Sequence, residues 1–428
     1  VNQQLPRGIA SDRLIGMLNA LAAKHPEIFF VVDSRNRSEK FKHAIYRFNA
    51  NEAARLCGRE QPPDQGVLLD DVKAFAERIF RTSGRPVFVS RGDRGSIVCS
   101  VSGTEEIPGI QILRKTDPVG AGDTSVSAIA AGLAAGVTAF EAGQLANFAS
   151  AVTVQKVKTT GTAKPDEIRA VGESPDYIYR PELAGDPRAA VYQGNTEIEI
   201  VNSGRISGKI RYALFDHDGT ISTLRQGWEP IMHNMFIRSI LGSSFKTADE
   251  TVYGRVARRV GDYITRSTGI QTIEQMQALV EMVREYGFVP EQVILSSPEY
   301  KKIYLSLLME KVVQRTEKLN RGELDVGDFT IKGAVSFLRM LREHGVRLYL
   351  ASGTDHDDVA QEAKALGYAE LFDGGIYGAG RSAGKDAKKE VIEKILTGKK
   401  LAGAGLACFG DGPVELREAR KSEGIAVG

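Results

Sequence analysis

The chain has 428 residues, 42% of them hydrophobic and 26% charged, which is enough apolar sequence for two buried cores and more than a single core usually holds. Its 56 basic and 54 acidic residues give a formal net charge of +2, so the composition does not indicate a nucleic-acid partner or an acidic tail. Three cysteines without a C-x-x-C pair argue against structural zinc and a disulfide framework.

The sequence contains no apolar stretch near the ~20 residues that a membrane helix needs, so we predict no membrane partner and a cytoplasmic location. Alternating strand and helix patterns run from Glu27 to about Val157 and predict parallel α/β units. A polar, proline-containing stretch then breaks the periodicity. We therefore predict an α/β chain with a domain at residues 1–170, a linker at 171–208 and a second domain at 209–428.

The first domain carries polar motifs after its predicted strands. Asn49-Ala50-Asn51-Glu52 offers an N-x-x-E arrangement in which a carboxylate organises Mg²⁺ through water. The strand Val87 to Ser90 leads into a tight turn at Gly92 that allows close approach of a nucleotide. Gly120, Ala121 and Gly122 present backbone N–H groups where a predicted helix, Ser125 to Gly136, is about to begin. Asp123 stands at the same point and is able to accept a proton from an attacking hydroxyl.

Together these motifs resemble the carboxyl-terminal half of the ribokinase-like (PfkB) sugar kinases, most closely those that phosphorylate heptose phosphates. The resemblance implies ATP as a cofactor, Asp123 as the base, and an anion hole at Gly120, Ala121 and Gly122. It also implies that Asn49 and Glu52 form the Mg²⁺ and phosphate motif and that Ser90, Gly92 and Asn147 line the nucleotide pocket. It starts in the middle of the family's fold, so we expect the sugar-binding half to lie outside this sequence, whether the chain is a fragment or a remnant completed by another chain. A homodimer through this domain is one hypothesis for its partners.

The second domain opens with an apolar strand, Tyr212 to Phe215, followed by Asp216-His217-Asp218-Gly219-Thr220. Two carboxylates two residues apart at a strand's carboxyl end suit phosphoryl transfer: one attacks phosphorus and the other protonates the leaving oxygen. Such a site requires Mg²⁺, because a carboxylate repels a phosphate until a cation bridges them. The alternation of a strand end points His217 away from the aspartates, so we predict a structural role for it.

Two later strands end in further polar residues. Ser352 follows the strand Val346 to Leu350, where its hydroxyl is able to hold a phosphoryl oxygen. Asp411 and Glu415 follow the strand Leu406 to Phe409 and supply carboxylates for a metal. Between them lie Lys385 and Lys388, either of which is able to neutralise phosphate and the nucleophilic carboxylate.

These four segments, in this order, resemble the haloacid dehalogenase (HAD) superfamily of phosphatases and phosphotransferases over about residues 209–428. The resemblance implies Asp216 as the nucleophile, Asp218 as the acid and base, Ser352 as the phosphate binder, and Mg²⁺ held by Asp216, Asp218, Asp411 and Glu415. For the lysine we prefer Lys388, which opens an apolar-periodic helix, and Lys385 stays an alternative. Residues 221–330 read as a mostly helical cap that closes over the site and chooses the substrate. Arg225, Trp228 and Glu229 are candidate substrate contacts in it, although we favour ordinary cap packing or a solvated helix face for each of them.

We therefore predict a bifunctional enzyme of phosphosugar metabolism: an ATP-dependent kinase-like domain followed by a Mg²⁺-dependent phosphatase. A kinase and a phosphatase that acted on the same hydroxyl of the sugar would undo each other. They are useful together if they act on different hydroxyls, as in a route to nucleotide-activated heptose. The alternative is a phosphatase of a small phosphate ester whose kinase-like domain senses nucleotide or dimerises without turnover.

Overall fold

The structure is a computed structural model that describes residues 2–3, 10–34, 37–59, 66–113, 115–178, 181–182, 188, 190–201, 209–380, 387–399 and 405–428. The chain divides into two compact units, Val1–Ser203 and Gly204–Gly428, and the division falls inside the predicted linker. Both units combine a sheet with flanking helices, which confirms the α/β fold class.

The first unit contains eight of the strands and six of the α-helices that the described ranges hold. The strands are β1 (Asn2–Gln3), β2 (Val31–Ser34), β3 (Ile45–Asn49), β4 (Val87–Ser90), β5 (Ser96–Ser100), β6 (Gly103–Ile107), β7 (Gly109–Ile110) and β8 (Tyr177–Ile178). The helices are α1 (Asp12–Lys24), α2 (Ala50–Leu56), α3 (Leu69–Ser83), α4 (Ala121–Ala134), α5 (Ala139–Thr153) and α6 (Pro165–Glu173).

The main sheet of the first unit has the order β1-β2-β3-β4-β5-β6. Its first four strands run parallel, whereas β5 pairs antiparallel with β4 and with β6. Two residues, Val101 and Ser102, separate β5 from β6, which is enough for a hairpin and far too few for a parallel crossover. The predicted parallel sheet therefore carries an antiparallel edge.

Side-chain alternation explains why this sheet is covered on both faces. Val87 and Val89 of β4 pack with α1, α2 and α3, while Phe88 between them packs with α4 and α5. The sheet is therefore the middle layer between two layers of helices.

The second unit begins at β9 (Tyr212–Phe215), and the cap helices α7 (Trp228–Leu241), α8 (Glu250–Arg266), α9 (Thr272–Tyr286) and α10 (Ser297–Asn320) follow it. The remaining elements are α11 (Ala334–Glu343), β10 (Arg347–Asp355), α12 (His356–Ala365), β11 (Gly375–Ala379), α13 (Ala387–Lys399), β12 (Leu406–Phe409), α14 (Pro413–Lys421) and β13 (Ile425–Val427).

The five strands of this unit form a fully parallel sheet in the order β11-β10-β9-β12-β13. Phe215 of the central strand lies in register with Leu350 of β10 and with Phe409 of β12. The residues that follow these three positions therefore meet at one edge of the sheet, where parallel α/β folds usually bind ligands.

The four cap helices have their own apolar core. The predicted i, i+4 series Met232, Phe236 and Ile240 is buried, as are Leu279 and Val283, which confirms the helical periodicity of this segment. Within the described ranges, none of the helices combines the length and the apolar character that a bilayer span requires.

Candidate active site

The carboxyl edge of the second sheet brings the predicted HAD motifs together. Asp216 is 5% exposed, and the Lys388 ammonium lies 3.1 Å from its Oδ1. Lys388 also donates a hydrogen bond to Glu415 Oε2 at 2.7 Å. The structure therefore places Lys388 between two carboxylates at the site, while Lys385 lies outside the described residues.

Burial and neighbouring charges shift the pKa values of Asp216 and Lys388. Burial raises the pKa of Asp216 to about 7. The Lys388 ammonium opposes this rise, and the carboxylates of Glu415, Asp218 and Asp411 add to it. Burial acts to lower the pKa of Lys388, but Asp216 and Glu415 outweigh it and raise that pKa above the usual range. Lys388 is therefore an ammonium ion, and the carboxylates around it outnumber it.

A divalent cation fits this surplus of negative charge. Oxygen atoms of Asp216, Asp411 and Glu415 lie within 4.8 Å of one another, and carboxylate oxygens are the ligands that Mg²⁺ prefers. Gly219 has φ +79°, and a side chain there would overlap the Asp411 carboxylate, so glycine permits this close approach. Glu415 also accepts a hydrogen bond from the Gly412 N–H at 2.7 Å, which makes it a support for the loop as well as a candidate ligand.

The Asp218 carboxylate lies in a different group, with His217 and Glu362, so its metal role stays a prediction. Its Oδ2 accepts hydrogen bonds from Ser352 Oγ at 3.3 Å and Thr354 Oγ1 at 2.8 Å. Burial alone would raise the pKa of Asp218, but His217, Arg225 and Thr354 outweigh it and hold that pKa well below its usual range. Asp218 is therefore ionised in this arrangement.

Cap residues complete a cavity over these carboxylates. Trp228, Tyr304 and Leu308 form its apolar side, and Arg225 lies in its wall. Arg225 is held by Glu362 in a two-pronged ion pair, with nitrogen to oxygen distances of 2.6 to 3.2 Å. Arg225 and Trp228 thus border the predicted site, whereas Glu229 is exposed in the first turn of α7.

The loop between α8 and α9 approaches the catalytic strand ends closely. The Gly269 carbonyl accepts a hydrogen bond from Lys388 at 3.4 Å, and a Cβ on Gly269 would lie 3.0 Å from Glu415 Oε2. A Cβ on Gly353 would lie 2.8 Å from the Ile270 carbonyl oxygen. These distances leave no room for side chains where the cap meets the nucleophile.

Sequence reasoning did not assign Thr354, Gly269 or Tyr304 to the site. Thr354 had a readable signal, because a hydroxyl two residues after Ser352 on an extended strand points to the same side. Gly269 and Tyr304 come from the cap, and their position depends on contacts distant in sequence. Strand alternation predicted that His217 points away from the aspartates, and this is wrong for Asp218: His217 is buried, and its Nδ1 lies 3.4 Å from Asp218 Oδ1.

Two predicted residues of the first unit, Asn49 and Ser90, are the last residues of β3 and β4, and Gly122 lies near Asp33 of β2 and Arg47 of β3. Gly120 has φ +84° and precedes α4, which begins with Ala121 and Gly122 and carries Asp123 in its first turn. A Cβ on Gly122 would lie 3.2 Å from Arg47 Nη1.

Arg47 is a polar neighbour that sequence reasoning missed at this point of the sheet. Its Nη1 lies 3.4 Å from the buried Asp33 carboxylate, and its Nη2 donates to Ser90 Oγ at 3.0 Å. A basic residue two positions before Asn49 on a strand was the available signal, because alternation puts both on one face.

Some predicted ligand residues of this unit have structural partners. Asn49 caps α2: its side chain accepts from the Glu52 N–H at 2.9 Å, and Glu52 accepts from the Asn49 N–H at 2.9 Å. Asn147 donates to the Pro108 carbonyl at 2.9 Å, and Gly92 has φ +65° in a 3₁₀ turn after β4. Their metal, phosphate and nucleotide contacts stay predictions.

Comparison with known proteins divides the chain in the same way. Residues 22–166 match the family model described as pfkB family carbohydrate kinase, and residues 210–422 match that of the haloacid dehalogenase-like hydrolases. A bifunctional protein HldE of Azorhizobium caulinodans is 26% identical over 306 residues, covering 67% of this chain and 61% of that protein. The HldE protein of Hyphomonas neptunium is 30% identical over 166 residues, covering 38% and 33%. The chain therefore spans less than two thirds of the length of these relatives.

Two solved structures are also similar to parts of the chain. Phosphofructokinase-2 from Escherichia coli has 21% identity and a TM-score of 0.33, with 40% of this chain and 54% of that chain covered. The β-phosphoglucomutase of Clostridium difficile has 17% identity and a TM-score of 0.33, with 51% and 84% covered.

Proposed function

We propose that this chain joins a sugar-kinase-like region to a Mg²⁺-dependent phosphatase of sugar phosphates, because residues 22–166 match the pfkB carbohydrate kinases and residues 210–422 match the haloacid dehalogenase-like hydrolases. One observation carries the phosphatase: a buried Asp216 lies 3.1 Å from a buried lysine, at the sheet edge that also holds Asp218 and Ser352.

In the proposed reaction, a carboxylate oxygen of Asp216 attacks phosphorus while the bond from phosphorus to the ester oxygen breaks. Asp218, which is ionised in this structure, takes up a proton when substrate binds, and the phosphate dianion favours this because like charge raises a carboxyl pKa. Asp218 then gives that proton to the departing alcohol oxygen. Asp218 then takes a proton from water, which attacks the aspartyl phosphate, releases inorganic phosphate and restores Asp216. Ser352 and the ammonium of Lys388 hold the phosphoryl oxygens.

Mg²⁺ fits the oxygens of Asp216, Asp411 and Glu415, and when bound it supplies charge neutralisation of the phosphoryl group. The wall formed by Trp228, Tyr304 and Leu308 favours a substrate body with an apolar face. A sugar ring presents C–H faces to aromatic rings and hydroxyls to Tyr304, so a sugar phosphate fits this cavity.

For the first unit we propose ATP-dependent phosphorylation of a sugar hydroxyl, with Asp123 as the base and the N–H groups of Gly120, Ala121 and Gly122 as the anion site. The similarity to HldE proteins supports a heptose phosphate as the sugar and nucleotide-activated heptose synthesis as the setting. Kinase and phosphatase would then act on different hydroxyls of related sugars.

The phosphatase is tested by steady-state hydrolysis of p-nitrophenyl phosphate and a panel of sugar phosphates with Mg²⁺. Asp216→Asn keeps the shape of the side chain but cannot form the acyl phosphate, so we expect a loss of about 1,000-fold or more in kcat. Asp262→Asn, at an exposed position on α8, is the matched control and should stay at the wild-type rate. Activity of Asp216→Asn within about tenfold of wild type would rule out this nucleophile.

A further inference from the structure

The residue between the two catalytic aspartates is unusually polar for its surroundings. His217 is completely buried, and its Nε2 lies 2.8 Å from the hydroxyl of Tyr368, which is also completely buried. A polar ring costs free energy to bury unless it is hydrogen-bonded, so an apolar side chain would serve this position better if packing were its whole role.

The other ring nitrogen of His217, Nδ1, is directed toward Asp218, the proposed acid and base. Nδ1 of His217 lies 3.4 Å from Oδ1 of Asp218, and among the described residues both atoms are buried without a hydrogen bond of normal geometry. Buried polar atoms in native proteins are rarely left unpaired. Two complementary atoms that face each other at this distance need only a small rotation of the carboxylate to bond.

The neighbouring charges leave Asp218 as the partner for Nδ1. Glu362 Oε2 lies 3.9 Å from Nδ1, but both oxygens of Glu362 receive Arg225 N–H groups. Arg225 Nε lies 4.0 Å from Asp218 Oδ1. Arg225 thus neutralises Glu362 and leaves the imidazole N–H directed to Asp218.

We propose that His217 is a positioning residue for Asp218, a role that rests on the phosphatase reaction proposed above. The Tyr368 hydroxyl donates to Nε2, which keeps the His217 proton on Nδ1. That N–H holds Oδ1 of Asp218 during turnover. Oδ2, which faces Ser352 and Thr354, is then the oxygen that transfers the proton to and from the reacting groups.

The test compares substrates that differ in how much they need a general acid. p-Nitrophenolate leaves without help, whereas an alkoxide such as that of glycerol 2-phosphate must be protonated. His217→Leu should therefore lose about 10- to 100-fold in kcat/KM on glycerol 2-phosphate and less than about threefold on p-nitrophenyl phosphate. His217→Asn, whose amide nitrogen takes the place of Nδ1, should recover most of the loss.

Tyr368→Phe keeps the ring and removes the donor to Nε2, so it should show the same substrate pattern with a loss of about 3- to 10-fold. Tyr368→Phe provides the test of the positioning role if His217→Leu does not fold. Tyr46→Phe is the matched control, because it removes a buried hydroxyl that donates at 2.7 Å to a backbone carbonyl in the other unit.

An equal loss on both substrates, or no loss in either folded variant, would overturn the positioning role and leave His217 as packing. If wild-type protein hydrolyses neither substrate with Mg²⁺, the proposed phosphatase fails and this role fails with it.

Discussion

Without bound metal, the wild-type protein should be less stable than a variant that lacks the Asp216 carboxylate, because an ionised carboxylate is costly to bury. The pKa of Asp216 is raised from 3.8 to about 7, so protonation of this group stabilises the fold. Its contribution is complete below about pH 4 and is lost as the pH rises through about 7. We therefore expect Asp216→Asn to be more stable than wild type in EDTA at pH 8, and to gain little at pH 4.

The size of the effect follows from the same shift. A rise from 3.8 to about 7 corresponds to about 4 kcal/mol, and this net value already includes the attraction to Lys388. Because single-residue effects depend on context by about a factor of two, we expect a gain of about 2 to 4 kcal/mol from asparagine. In a domain of 150 to 250 residues this raises Tm by roughly 5 to 15 °C. Mg²⁺ should reverse the order, because it stabilises the ionised carboxylates of wild type and binds the variant less well.

The assay uses the single tryptophan of the chain. Trp228 lies in the second unit and lines the cavity, so its fluorescence follows unfolding of that unit. Thermal scans at pH 4 and pH 8, with EDTA or Mg²⁺, compare wild type, Asp216→Asn and the exposed control Asp262→Asn. If Asp216→Asn melts at or below the wild-type temperature in EDTA at pH 8, the reasoning about burial is refuted.

Two further predictions concern the metal and the first unit. EDTA should stop hydrolysis and Mg²⁺ restore it, while Ca²⁺ should not, because its larger and looser coordination sphere spoils in-line geometry; full activity in EDTA would contradict the acidic group as a metal site. Asp123→Asn should abolish ATP-dependent sugar phosphorylation while nucleotide binding, followed by calorimetry, survives on backbone N–H groups; phosphatase rates should be unchanged, and a fall in them would show that the two units are not independent.

Local sequence patterns predicted the strands that position the sites. The apolar runs Tyr212 to Phe215, Val87 to Ser90 and Leu406 to Phe409 are strands with those bounds. The alternating pattern that begins at Glu27 opens with a strand only at Val31–Ser34, because pairing with β1 extends this strand past Asp33 and Glu27 stays outside the sheet. Apolar pattern shows which residues are buried, whereas pairing decides where a strand begins.

The α4 helix shows a similar limit at its start. Sequence placed it at Ser125 to Gly136, and the structure begins it at Ala121, directly after the left-handed Gly120. Ala121 and Gly122 were placed before the helix, although glycine and alanine also fit the first turn of a helix whose N–H groups are proposed to bind an anion.

At Asn49 and Glu52 one residue pattern serves two possible purposes, and the structure shows one of them. Asn49 and Glu52 form a capping box in the structure, and S/T/N-x-x-E is as much a helix-start signal as a ligand pattern. Spacing alone does not separate these readings, because both need an amide or hydroxyl three residues before a carboxylate.

The contacts of His217 show why some parts of the site could not be predicted from the sequence. Strand alternation assumes that the backbone stays extended, and the chain turns at Gly219, where φ is +79°. Strand β9 ends at Phe215, and His217 Nδ1 lies 3.4 Å from Asp218 Oδ1 in the irregular segment that follows, while Tyr368 reaches the ring from a position 151 residues later. Local periodicity therefore identified the carboxylates that we propose to react, whereas the contacts that hold them in place arise from tertiary structure.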